Sequence, residues 1–208
     1  MSPARWRLAR TGDVDDVVAT LGAAFADDPL WGLWALPDTT DRVSVLTRHW
    51  RPFVRAALGY DGVIIAAGGQ AVAVWVPPGV PELDEAEEAA LTAATEEIFG
   101  PAAPLLFELY ERFAQARPQR PEHWCLSLLG THRDHLGRGW GMRLVNDFLA
   151  TVDADNMPAY LESTNPANLA RYGRSGFAPV GAFTAPDRPG VRTPEVTTMW
   201  RPPAAEPG

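Results

Sequence analysis

The sequence predicts an α/β fold, and three features of the 208-residue chain predict it. Short apolar runs rich in valine, isoleucine and leucine alternate with longer segments whose apolar residues recur at helical spacing. Glycine and proline punctuate the joins. In the C-terminal part of the chain, an apolar run leads through a glycine-rich loop into an amphipathic segment.

Residues 6–10 read as a first strand, and Thr11 or Asp13 can cap the helix that follows. Val14, Val17, Val18, Leu21 and Phe25 give that helix a buried face, and Asp27, Asp28 and Pro29 end it. Residues 29–37 hold Leu30, Trp31, Leu33, Trp34 and Leu36, too apolar a set for an ordinary exposed loop. They form either a core-covering turn or the aromatic wall of a ligand pocket. A helix over 41–58 places Val43, Leu46, Trp50, Phe53, Val54 and Ala57 on one side, and Pro52 should kink or split it. Runs 63–67 and 71–76, joined through Gly68 and Gly69, read as a hairpin closed off by Pro77 and Pro78. Helices over 84–98 and 104–116 are divided at Gly100 and Pro101, with Glu85, Glu87, Glu88, Glu96 and Glu97 as a solvated face. After a proline-rich linker at 118–121, residues 124–129 form an apolar strand and 131–138 a polar loop. The helix that opens at Gly137-Arg138-Gly139-Trp140-Gly141 buries Leu144, Val145, Phe148, Leu149 and Val152. A strand at 158–162, a helix at 165–175 stopped by Gly176, and strands at 177–183 and 196–200 complete the chain. Residues 1–201 are expected to be one domain and the Pro-rich stretch 202–208 a disordered tail.

Bulk properties narrow the function. The chain is 46% hydrophobic, enough for a sizeable core. It has no run of 18 apolar residues, no signal-like apolar segment near its N-terminus and a single cysteine, Cys125. These predict no membrane association and a cytoplasmic location. A net charge of −8 argues against nucleic-acid binding and favours a cationic partner.

The glycine loop carries the chemistry. Backbone N–H groups at a helix N-terminus lack internal partners and bind phosphate where the chain can approach closely, which glycine permits. Arg138 within the loop and Arg133 before it would neutralise the anion. The spacing is not the G-x-G-x-x-G of a dinucleotide fold, and no G-K-[ST] of a P-loop is present. Leu136-Gly137-Arg138-Gly139-Trp140-Gly141 instead resembles motif A, [QR]-x-x-G-x-[GA], of the GCN5-related N-acetyltransferase (GNAT) superfamily, with Leu136 in place of the usual Gln or Arg. Residues 24–29, 71–75, 117–124, 160–163 and 172–177 are similar to puromycin N-acetyltransferase and its bacterial relatives. Asp28 stands where those relatives have a tyrosine, which implies a different acceptor.

The resemblance implies a mixed, mostly antiparallel sheet of six or seven strands. The strand ending at Leu129 would splay from the strand ending at Glu162. Acetyl-CoA would enter that cleft, with Leu129, Gly130 and Thr131 along the pantetheine arm and thioester, residues 136–141 at the pyrophosphate and Asn168 near the arm. The acceptor would be a small-molecule amine, such as an aminonucleoside-like antibiotic; a protein amine, or a non-catalytic coenzyme A-binding module, is the rival reading. Asp27, Asp28, Trp31 and Trp34 are the expected acceptor-binding residues. An alkylammonium must lose a proton before it attacks a thioester, and Glu162 is the expected base. A strand N–H would stabilise the oxyanion. Tyr172, in Tyr172-Gly-Arg-Ser-Gly176-Phe177, matches the superfamily's Y-x-x-x-G-F and is the expected acid for the departing thiolate. His132 and His135 lack the further ligands of a metal set, so no metal is expected. His49 and His123 read as structural, Cys125 as a buried inert thiol, and the protein as a monomer or homodimer.

Overall fold

A computed structural model describes residues 6–39 and 41–204. The strands β1 (Trp6–Leu8), β2 (Val63–Ala66), β3 (Ala71–Val76), β4 (Trp124–Thr131), β5 (Ala159–Ser163), β6 (Ala178–Thr184) and β7 (Glu195–Arg201) form one sheet in the order β1-β2-β3-β4-β5-β7-β6. All neighbours are antiparallel except β4 and β5, which run parallel.

Both faces of the sheet are covered, so its central strands are apolar throughout rather than alternating. On one face α1 (Val14–Phe25), α2 (Arg42–His49), α3 (Arg51–Leu58), α4 (Glu85–Phe99) and α5 (Ala103–Ala116) surround Val63, Ile65, Val72 and Val74. On the other, α6 (Trp140–Ala154) and α7 (Leu169–Gly173) cover Ile64, Ala73 and Trp75. The period of two along each strand sends neighbouring residues to opposite cores. Leu144, Phe148 and Leu149 of α6 are almost fully buried, each worth about 1.5–3 kcal/mol of hydrophobic stabilisation. Phe148 stacks on Trp75 with ring centroids 4.9 Å apart, which ties α6 to β3.

Local chemistry sets the helix ends. Asp41 accepts a bond from the Ser44 N–H at 3.1 Å and starts α2; Asp84 accepts from the Glu87 N–H at 2.9 Å and starts α4. The expected split near Pro52 is present: α2 stops at His49 and α3 begins at Arg51, so the proline lies in a first turn where its missing N–H is harmless. Three expectations differ. The first strand stops at Leu8, because the Asp13 carboxylate pairs with Arg7 and accepts the Arg10 N–H at 2.7 Å, closing a tight turn at Thr11–Asp13. The helix expected at 165–175 is a 3-10 turn, Pro166–Asn168, leading into the five-residue α7. Glu87 is not solvated: it is buried and pairs with Arg55 at 3.0 Å.

Residues 202–204 are exposed and carry no regular secondary structure, while 205–208, the rest of the expected tail, lie outside the described residues. Among the described residues no helix is long and apolar enough to cross a membrane.

Candidate active site

The sheet opens where β4 and β5 part. Their parallel pairing covers only Trp124 to Leu126 against Ala159 to Leu161. Beyond it β5 stays with β7 and β4 with β3, so the β5-facing edge of β4 from Ser127 onward has no strand neighbour. A bulge at this point drives the divergence: Leu126 pairs with Trp75 and Leu128 with Val74, leaving Ser127 as the extra residue. Leu126 and Leu128 consequently enter opposite cores despite lying two residues apart. A cavity of about 660 Å3 fills the opening.

The glycine loop lies at the mouth, and its glycines divide the work. Gly137 and Gly139 have φ of +73° and +75°, a left-handed conformation that favours glycine, and a Cβ on either would meet nothing within 4 Å. They leave the first turn of α6 open to a ligand. Gly141 packs inward instead: a Cβ there would approach Thr131 Oγ1 to 2.8 Å, so this glycine seats α6 against β4. Gly130 likewise admits α1, since a Cβ would come within 3.1 Å of Leu21. Leu136 is 60% exposed, and Leu136, Leu129, Thr131, Arg133 and Asn168 line the cavity. Arg138 is exposed, and Trp140 is half-buried beneath the Arg143 guanidinium.

Tyr172 and Glu162 both reach the cavity. The Tyr172 phenol makes no hydrogen bond among the described residues. Burial, aided by the negative Asp28, pushes its pKa up to about 12. Glu162 has a side chain only 6% exposed, and burial raises its pKa against the opposing pull of Arg117. Arg117, at the end of α5, holds Glu82 at 2.9 Å and lies 3.6 Å from Glu162, beyond hydrogen-bond distance. Glu82 also accepts a bond from the Ser127 hydroxyl on the bulge. Glu162 Oε1 is thus a buried carboxylate oxygen without a hydrogen-bond partner. The sequence does not mark Arg117 and Glu82 as members of this cluster. No local spacing signals a cluster assembled from a loop, a helix end and a strand.

The acceptor-side residues separate. Asp28 is buried and serves as a cap: one oxygen accepts the Leu30 and Trp31 N–H groups at 2.9 and 3.1 Å, and the other the Thr164 hydroxyl at 2.7 Å. It starts the turn Pro29–Trp34, a wide π-type helix with N–H bonds from Leu33 to Asp28 and from Ala35 to Leu30. Asp27 is exposed at the cavity rim and Trp31 lines its wall. Trp34 corrects the sequence expectation: it is fully buried among the core residues and does not line the cavity, so burial of its apolar ring in the core wins over a place in the pocket wall. Residues 29–37 therefore supply both a core cover and one aromatic wall residue.

Other reactive groups are quiet. Burial raises the Cys125 thiol well above its usual range and lowers His49 to about 3, so both are neutral. His123 packs its edge on Tyr160 and Trp200. Among the described residues no group of three or more His, Cys, Asp or Glu is placed to hold a metal ion.

A seven-stranded sheet splayed between its two parallel strands, with a glycine loop and helix at the mouth, is the GNAT acetyltransferase fold. No protein-family model matches the sequence. The structure of a histone acetyltransferase HPA2 and related acetyltransferase from Corynebacterium glutamicum is 26% identical, with a TM-score of 0.67 over 98% of both chains. Arylalkylamine N-acetyltransferase 2 from Aedes aegypti is 17% identical, with a TM-score of 0.60 over 95% of this chain and 97% of that one. A polyamine N-acetyltransferase from Drosophila melanogaster that forms N-acetylagmatine is 15% identical, with a TM-score of 0.56 over 94% of this chain and 97% of that one. The two insect enzymes share the fold.

Proposed function

We propose that the protein transfers an acetyl group from acetyl-CoA to the primary amine of a small molecule. One observation carries the reading: a single cavity at the β4–β5 opening is lined by the Tyr172 phenol, the Glu162 carboxylate and the unpaired edge of β4, with the glycine loop at its mouth. The residues fit the co-substrate. Gly137 and Gly139 leave room for a pyrophosphate at the N-terminus of α6, whose free N–H groups favour an anion. Arg133, Leu136 and Asn168 line the path inward, and the N–H and C=O groups of residues 127–131 have the polarity to bind an amide-containing arm.

Acetyl-CoA supplies an activated thioester. The chain's residues handle the protons. Glu162 accepts a proton from the incoming ammonium; a carboxylate raised above its usual range lies closer to working pH and takes that proton more readily. Arg117 pulls that pKa back down against the larger effect of burial. The Tyr172 phenol, held neutral, donates to the departing sulfur. An N–H on the free edge of β4 stabilises developing negative charge on the carbonyl oxygen.

Calorimetric titration of acetyl-CoA, followed by thiol-release assays with simple amines, puromycin and a lysine peptide, tests the reading. Micromolar binding and turnover on a small amine are expected. A protein that ignores acetyl-CoA overturns it; binding without turnover on any amine makes the chain a coenzyme A-binding module; turnover on the peptide alone makes it a protein acetyltransferase.

A further inference from the structure

Away from the glycine loop, the cavity wall is built of rings. Phe25, Trp31, Phe53, Tyr110 and Phe113 come from α1, the wide turn, α3 and α5 and share this one space. They are fixed rather than loose. Trp31 lies nearly parallel to Phe113, at 14° and 6.0 Å, and to Tyr110, at 28° and 6.3 Å. The Tyr110 hydroxyl is 3.3 Å from the Thr95 hydroxyl. A wall of immobilised ring faces binds flat apolar groups at little ordering cost.

The charged groups around the same space are mostly engaged. Asp28 accepts three hydrogen bonds, and Glu82 is held by Arg117 and Ser127. Asp27 and Glu88 are exposed at the rim. Inside, Glu162 Oε1, 3.6 Å from Arg117 Nε, is the carboxylate oxygen left without a hydrogen-bond partner among the described residues. Among the described residues the interior thus offers one carboxylate oxygen to an ammonium and no second one to a further buried cation.

Building on the acetyl-transfer reading of this cavity, we infer that the acceptor is an aromatic amine with one positive charge. Its ring lies against Trp31 and Phe113, and its ammonium meets Glu162. Agmatine, polyamines and lysine side chains in peptides present a second charge or no ring, and fit worse.

The test separates this inference from catalysis by measuring binding. Phenethylamine, tryptamine, agmatine and spermidine are titrated calorimetrically into the protein saturated with coenzyme A, which carries no acetyl group to transfer. The aromatic amines should bind at least about tenfold more tightly than the diamines and polyamines. Phe113→Ala should erase most of that preference. Phe113→Leu, which keeps apolar bulk and guards against misfolding, should reduce it as well. Equal or tighter binding of agmatine or spermidine overturns the inference, as does a preference that survives both substitutions. Tight aromatic binding without turnover in the acetyl-CoA assay would remove acetyl transfer and leave the aromatic site standing.

Discussion

Removing one oxygen atom tests the acid assigned to Tyr172. Tyr172→Phe deletes a hydroxyl that lines the cavity and has no hydrogen bond to lose among the described residues, while the ring keeps its packing at 6.3 Å from Phe177. Folding stability should change by less than about 1 kcal/mol, and the thermal midpoint by a few degrees at most. If the phenol donates to the leaving sulfur, turnover should fall about 10²- to 10⁴-fold, or about 2.7–5.5 kcal/mol in the barrier. The two effects differ enough to be told apart. Thiol release gives kcat, calorimetry gives the acetyl-CoA dissociation constant, and a thermal melt gives the midpoint. Only kcat should move substantially. The pH profile adds a second check. An ordinary phenol is about half ionised at pH 10, whereas one with a pKa of about 12 is about one per cent ionised there. Parent kcat should therefore show no loss attributable to Tyr172 between pH 8 and 10. Unchanged kcat in Tyr172→Phe would refute the assignment, and a limb near pH 10 that vanishes in the variant would refute the buried, neutral phenol.

Other predictions concern the loop and the charge cluster. Gly139→Ala should weaken acetyl-CoA binding, with a folding loss of about 1–2 kcal/mol from the left-handed φ, since its Cβ meets nothing. Gly141→Ala should mainly destabilise, by about 1–3 kcal/mol in urea denaturation, because its Cβ crowds Thr131; a larger effect on binding than on folding would contradict the division between the two glycines. Arg117→Gln removes the cation between Glu82 and Glu162 and should cost about 2–4 kcal/mol in urea denaturation. It should also move the acid limb of kcat/KM to higher pH, because Glu162 loses the charge that holds its pKa down; an unmoved limb would exclude Glu162 as the base. Glu162→Gln should gain stability relative to the parent as pH rises. A carboxyl whose folded pKa lies above its unfolded value contributes less stability once pH passes through that window, and Gln does not titrate. Melts from pH 4 to 8 measure the difference.

The sequence by itself determined the parts that depend on near neighbours along the chain. The apolar spacing of α6, the split at Pro52, the glycine turns at Gly137 and Gly139 and the placing of Tyr172 on a helix after a strand all follow from contacts within a few residues. What only the tertiary structure decided is how distant parts meet. The bulge at Ser127 that opens the sheet, the turning of Asp28 into a cap bonded to Thr164, the burial of Trp34 in a core drawn from several elements, and the meeting of Glu82, Arg117 and Glu162 all depend on residues far apart in sequence. Such joins are set by the packing of helices on a twisted sheet, where burial decides which polar atoms find partners inside the fold and which are left for a ligand.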